Sequence, residues 1–190
     1  MDNKLSDILA LASLPEKVSR VIHRAETVVN SQEVDAAIDR QAVLLTALAQ
    51  DRNPVLLTLI PGGGYLSGVL LRRTIFPLQT SYAYWHEANG QAPCWVFAGG
   101  SPELNDRLVI VIDGGLTSKD ELEALGEWLQ EAGAAEGWQC SMVGSPDTSV
   151  NTGAFFTRRM FAITAELEGL FGCGLDVHGY CRNLPSLFRA

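Results

Sequence analysis

Positive charge is scarce in this sequence: 14 lysines and arginines stand against 22 aspartates and glutamates, a formal net charge of −8. A surface for nucleic acid or an anionic membrane needs clustered Lys and Arg. The two adjacent basic pairs, Arg72-Arg73 and Arg158-Arg159, read as solvated surface, so no nucleic-acid partner is expected. Long apolar runs are also missing, with nothing approaching the roughly 18 residues that a membrane helix requires. The N-terminus carries Asp2 and Asp7 where a secretory leader would be basic. The expectation is a soluble cytoplasmic protein with no membrane partner. Histidine is thin, and His23, His86 and His178 form no H-x-x-H or H-E-x-x-H pattern. Cys94, Cys140, Cys173 and Cys181 include no C-x-x-C pair, which argues for reduced, mostly buried thiols and against a protein-only metal site. Repeats and low-complexity tracts are absent.

Apolar material is plentiful. Of 190 residues, 47% are hydrophobic, enough for one sizeable core and a single domain. The organising stretch is Leu108 to Leu129, LVIVIDGGLTSKDELEALGEWL. Leu108 to Ile112 is a continuous apolar, β-branched run suited to a strand buried on both faces. Asp113-Gly114-Gly115 breaks it, and Leu122, Leu125, Leu129 and Ala132 then share one face at helical spacing, with Gly133 at the helix C-terminus. A ligand site belongs at such a loop, because the following helix points free N–H groups at it. Yet Ser118 and Glu121 form an S-x-x-E capping box with Asp120 beside them. At an effective dielectric of about 20, unit charges roughly 6 Å apart repel by on the order of 3 kcal/mol, so this turn disfavours phosphate.

In chain order, Ser6 is a candidate cap for a short helix that Pro15 ends, and Val18 to Val29 shows no clean period. Asn30, with Glu33 three residues on, caps an amphipathic helix through Val34, Ala37, Ile38, Leu45 and Leu48. Val55 to Ile60 is a second buried strand, followed by Pro61-Gly62-Gly63-Gly64 and a short helix, Leu66 to Leu71. Gly62, Gly64 and Gly68 have the spacing G-x-G-x-x-x-G, which is not a dinucleotide fingerprint. Gln79 to Trp85 and Cys94 to Ala98 suggest an antiparallel pair around Asn89-Gly90. Gln139 to Val143 and Phe161 to Ala165 are further strands, Asp147 to Gly153 is loop-like, and the tail from Phe171 has no period. Strands alternating with helices give an α/β fold with a mostly parallel sheet.

Several ordered motifs then resemble one family. Phe171-Gly172-x-Gly174-x-Asp176-x-x-Gly179-Tyr180-x-Arg182-Asn183-Leu184-Pro185 is similar to the C-terminal signature of bacterial hypoxanthine-guanine phosphoribosyltransferases. Val28 to Asp39, Asn53 to Leu57, Phe76 to Gln79 and Glu127 to Ala135 resemble the same family in the same order, from about residue 20 to the end. The resemblance implies a type I phosphoribosyltransferase fold: a mostly parallel twisted sheet flanked by helices, over residues 1–190 as one domain, with a small hood from about 15–30 and 166–190. It implies transfer of ribose phosphate from phosphoribosyl pyrophosphate to a 6-oxopurine, with magnesium, by a homo-dimer or homo-tetramer. It also implies site residues, one by one. Pro61, Gly62 and Gly63 match the pyrophosphate loop, whose peptide is cis in the family, and a proline makes a cis bond inexpensive. Asp113 matches the first acid of the phosphoribosyl loop, and Arg182 the pyrophosphate-binding arginine. Asp176 matches the tail acid associated with magnesium. Ser145 and Leu170 fall at purine-binding positions, Leu170 through its backbone.

The departures are as specific. Gly114 replaces the second acid, Thr117 stands at the purine-side base position, and Ser118 to Glu121 replaces the phosphate cradle; a threonine hydroxyl cannot serve as a carboxylate base near neutral pH. Gly169 stands where an aromatic stacks on the base. Other readings stay open beside these. Gly62 and Gly63 could simply make a tight turn. Asp113 could cap the glycine loop or pair with a lysine, Asp176 and Arg182 could pair in the hood, and Thr117 and Ser118 read first as helix-capping residues. The expected function is a divergent purine phosphoribosyltransferase homologue with ordinary activity weak or lost, binding a purine nucleotide or other small anion or serving as a partner subunit. The alternatives are a working salvage enzyme making IMP or GMP, and a structural interaction module.

Overall fold

The computed structural model describes residues 13–87, 92–144 and 155–190. Helix α1 (Glu16–Ile22) and strand β1 (Glu26–Val29) lead into helix α2 (Ser31–Ala49), then strand β2 (Val55–Leu59), helix α3 (Gly64–Leu71) and strands β3 (Gln79–His86) and β4 (Cys94–Ala98). Strand β5 (Leu108–Asp113), helix α4 (Lys119–Glu131), strands β6 (Glu136–Gly144) and β7 (Phe156–Thr164), and two short strands, β8 (Leu170–Phe171) and β9 (Leu187–Arg189), complete the chain.

Six strands form the main sheet in the order β4-β3-β2-β5-β6-β7. All neighbours run parallel except β4, which lies antiparallel on β3 at one edge. Every residue of β5 is buried, and its side chains alternate between two cores as the pleat requires. Ile110 and Ile112 meet Val34, Ile38 and Leu45 of α2 on one face. Val109 and Val111 meet Leu122, Leu125 and Leu129 of α4 on the other. The strand that the sequence marks as central therefore carries a helical layer on each side.

Helix starts follow the expected caps. The Asn30 side chain accepts from the amides of Gln32 and Glu33 at 3.0 Å, while Glu33 reaches back to the Asn30 amide. A second, antiparallel sheet in the order β1-β9-β8 joins the two ends of the described chain, with Val18 and Ile22 of α1 packed on Phe171 and Phe188. Among the described residues no helix is long and apolar enough to cross a membrane.

Several boundaries differ from the sequence expectation. Pro15 precedes a helix, its carbonyl accepting from Val18 and Ser19, and the helix proposed from Ser6 lies largely outside the described residues. The period of α1 is obscured because the helix is only seven residues long. Strand β7 begins at Phe156, well before Phe161, because its polar residues have partners on β6. Arg158 lies 5.1 Å over the Trp138 ring, and the Thr157 hydroxyl donates to Glu136. Asp113 closes β5 as a strand residue. The Asn89-Gly90 turn, Ser145 and the loop Asp147 to Gly153 lie outside the described residues.

Candidate functional site

Strands β2 and β5 are parallel neighbours, so their carboxyl ends deliver two loops to the same edge of the sheet. After β2 the chain passes through a cis Ile60–Pro61 bond to Gly62 and Gly63. A Cβ on Gly63 would sit 2.3 Å from the Ile112 carbonyl oxygen and 2.8 Å from that of Leu59, closer than any side chain tolerates. Gly63 is thus fixed by the approach of two strands. Gly62 has ordinary contact distances, the nearest being 3.6 Å to the Gly114 amide nitrogen.

After β5 the loop turns at Gly115, whose φ of +107° and 2.0 Å Cβ approach to the Val143 carbonyl admit only glycine. Gly114, where the resemblance would place a second acid, is wedged between the Gly62 carbonyl and Leu175, with a Cβ meeting them at 3.2 and 3.3 Å. The loop ends in a closed cap. Ser118 Oγ accepts the Glu121 amide at 3.2 Å, and the Ser118 amide donates to Glu121 Oε2 at 2.6 Å. Asp120 and Glu121 both occupy the first turn of α4. The capping role expected for Ser118 is what the geometry contains.

Asp113 is 1% exposed. Its Oδ2 accepts from Gln139 Nε2 at 3.0 Å, and Gln139 Oε1 in turn accepts from Arg159 Nε at 3.0 Å, so the amide is oriented from both ends. No lysine is its partner among the described residues, contrary to one sequence reading. Burial drives the Asp113 pKa upward, and the neighbouring Ser141, Gln139, Gly115 and Thr117 offset this only in part. Oδ1 has no hydrogen-bond partner among the described residues.

The tail supplies the remaining wall. Arg182 Nη2 pairs with Asp176 Oδ1 at 2.5 Å and Nη1 donates to the Gly174 carbonyl at 2.6 Å. Asp176 Oδ2 accepts the Gly179 amide at 2.5 Å. The hood pair anticipated as an alternative is present, and both oxygens of Asp176 are engaged. Magnesium is held by one or two carboxylates plus substrate phosphates. Among the described residues no group of three or more His, Cys, Asp or Glu could hold a metal. An ion held at Asp176, as the resemblance implies, would share oxygens already bonded to Arg182 and Gly179.

Together the two loops and the tail enclose a cleft of about 380 Å³. Pro61, Gly62, Asp113, Thr117, Asp176 and Arg182 all line it, so the structure gathers most of the sequence candidates in one place. Ser118 and Gly63 stand behind the lining, and Leu170 lies elsewhere, buried in the core with its amide donated to the Leu167 carbonyl. Trp95 is a cleft wall that the sequence alone did not mark, whereas Glu121 was marked through its cap and its charge. Trp85 and Trp95 are register partners across β3 and β4, their rings 5.4 Å apart, and the Trp95 Nε1 donates to the Glu121 carbonyl at 2.9 Å. The signal was available, since the two tryptophans are equally spaced about Gly90.

No family model and no curated protein matches the sequence. Solved structures do match. A hypoxanthine-guanine-xanthine phosphoribosyltransferase is 20% identical, with 85% of this chain and 92% of that one covered at a TM-score of 0.69. A hypoxanthine phosphoribosyltransferase from Staphylococcus aureus is 18% identical, covering 85% and 90% at 0.73. The hypoxanthine-guanine phosphoribosyltransferase of L. donovani is 16% identical, covering 87% and 99% at 0.72. The fold of this chain is the type I phosphoribosyltransferase fold that its helix and tail motifs lead one to expect.

Proposed function

We propose that this protein is a divergent hypoxanthine-guanine phosphoribosyltransferase homologue that has lost ordinary transferase activity and keeps its cleft as a small-molecule site. The observation that carries this reading is the turn from Thr117 to Glu121. Its cap is made by Ser118 and Glu121, its first helical turn holds Asp120 and Glu121, and a threonine stands at the purine-side base position. A 5′-phosphate brought there would find the helix N–H groups partly spent and two carboxylates in the same helical turn. Among the described residues Arg182 is the one basic side chain lining the cleft, and it is tied to Asp176. Binding of a nucleotide or other anion through side-chain charge is weakened for the same reason.

The test is nucleotide formation by the purified protein with magnesium, phosphoribosyl pyrophosphate and each of hypoxanthine, guanine and xanthine. The expected result is no IMP, GMP or XMP above background. Turnover near ordinary enzyme rates, about 1 per second or more, would establish the working salvage enzyme instead. Assembly into a homo-dimer or homo-tetramer is part of the proposal, and sedimentation of the full chain checks it.

A further inference from the structure

The main sheet ends at β4, and among the described residues no strand pairs with its outer side. An edge of this kind presents a row of backbone N–H and C=O groups, which proteins ordinarily protect with charge, proline, a bulge or a covering element. Here the strand is Cys94-Trp95-Val96-Phe97-Ala98, with neither charge nor proline, and its register on β3 runs without a shift from His86↔Cys94 to Tyr82↔Ala98. Trp95 and Phe97 turn toward α4. By alternation Cys94, Val96 and Ala98 turn to the opposite face, beside the exposed Tyr82 and Tyr84. Such an edge is a template for one more strand.

Charge decides which strand. Trp95 Nε1 donates to the Glu121 carbonyl at 2.9 Å, and Phe97 stacks on Trp128 with 4.0 Å between ring centroids, so one flank of α4 runs along β4. Asp120, Glu127 and Glu131 follow that flank at helical spacing and are all exposed. Lys119, the one basic residue of the helix, is paired with Glu123 at 3.4 Å. A second copy of the chain suits this edge badly. Two β4 strands joined antiparallel are related by an axis perpendicular to the sheet, which would set both α4 helices on the same face with their acidic flanks toward each other, and like charges across an interface oppose association. A basic strand meets the complementary field.

We propose that β4 takes an extended basic peptide as an added strand of the main sheet, with lysine or arginine at alternate positions toward α4 and apolar, β-branched residues on the face of Val96 and Tyr84. Backbone pairing supplies the affinity, and the acidic flank of α4 supplies the selectivity. This partner surface goes beyond the transferase question and holds whether or not a nucleotide is formed in the cleft.

Capped, dye-labelled peptides of alternating lysine and valine test it, titrated with the full chain at pH 7 and low salt and read by fluorescence anisotropy. Companion peptides carry threonine or glutamate in place of lysine, and a further one has its two central backbone nitrogens methylated, which removes a ladder donor from either edge without changing charge. The lysine peptide should bind saturably and at least about tenfold more tightly than the threonine peptide, with the glutamate peptide weakest. Methylation should weaken it at least about tenfold. Glu127→Lys combined with Glu131→Lys, placed where basic residues suit the helix dipole, should weaken the lysine peptide about tenfold and strengthen the glutamate peptide. Equal binding with and without methylation, equal binding across the three charges, or no binding overturns the inference. Self-association of the chain that Val96→Lys abolishes would assign the edge to a second copy and overturn it as well.

Discussion

The turns after β2 and β5 occupy equivalent places on adjacent parallel strands, and each opens a helix, yet they satisfy their first N–H groups in opposite ways. At α3 the N-cap is Gly63, with no side-chain cap bond and no acid in the first turn. At α4 the N-cap is Ser118, with a reciprocal cap to Glu121 and two acids in the first turn. The same scaffold thus holds one helix start made of bare backbone and one filled by the protein's own side chains. Strand register fixes where a loop stands, and a few loop residues decide how the helix start that follows it is satisfied.

The sharpest break of this comparison is steric. If the β2 turn is held by backbone approach, Gly63→Ala should destabilise the fold by about 2–3 kcal/mol, because its Cβ would stand 2.3 Å from the Ile112 carbonyl and neither strand can retreat. Gly62→Ala, with no atom nearer than 3.6 Å, should cost under about 1 kcal/mol. Urea melts of the two variants separate these outcomes. Equal losses would mean that the turn yields as a unit.

Next in size is Asp113→Asn, which probes the buried end of the β5 turn. Burial raises the Asp113 pKa in the folded chain. As pH rises, the unfolded chain ionises this residue first, near its ordinary value of about 3.9. Between that value and the raised folded one the folded state holds the extra proton, so wild-type stability falls with rising pH across that window and stays lowered above it. Asparagine removes this loss. The variant should be more stable than the wild type at pH 7 and show a flatter stability profile above pH 4, measured by denaturant melts at each pH.

The third test is the cap itself. Ser118→Ala should cost about 1 kcal/mol and Ser118→Gly only a few tenths, read from the thermal midpoint. The α3 turn has no counterpart to this experiment, since its N-cap makes no side-chain bond to remove.

The contrast between these turns was largely readable from the residues. S-x-x-E before a helical period specifies its own cap, and Leu108 to Ile112 can be little other than a doubly covered strand. The start of β7 was not readable, because Thr157 and Arg158 look like loop until Glu136 and Trp138 are placed beside them. Leu170 could be matched by position, whereas the spending of its amide on Leu167 depends on how the tail turns. Trp95 could be paired with Trp85 from hairpin symmetry, but its bond to the first turn of α4 required the packing of an edge strand on a helix far along the chain.

The smallest effect asks which part of the α4 turn closes it. Asp120 is exposed, so Asp120→Asn should lower stability by only about 0.3–1 kcal/mol through the helix dipole, and less at 1 M salt, where the screening length is about 3 Å. Asp120→Asn combined with Glu121→Gln removes both carboxylates while serine still caps the helix. If ribose 5-phosphate then stabilises the double variant against heat but not the wild type, charge is the seal, and the two turns differ chiefly in their electrostatics. If it stabilises neither, the amides already committed within the cap exclude the phosphate, and the difference between the turns is one of hydrogen bonding.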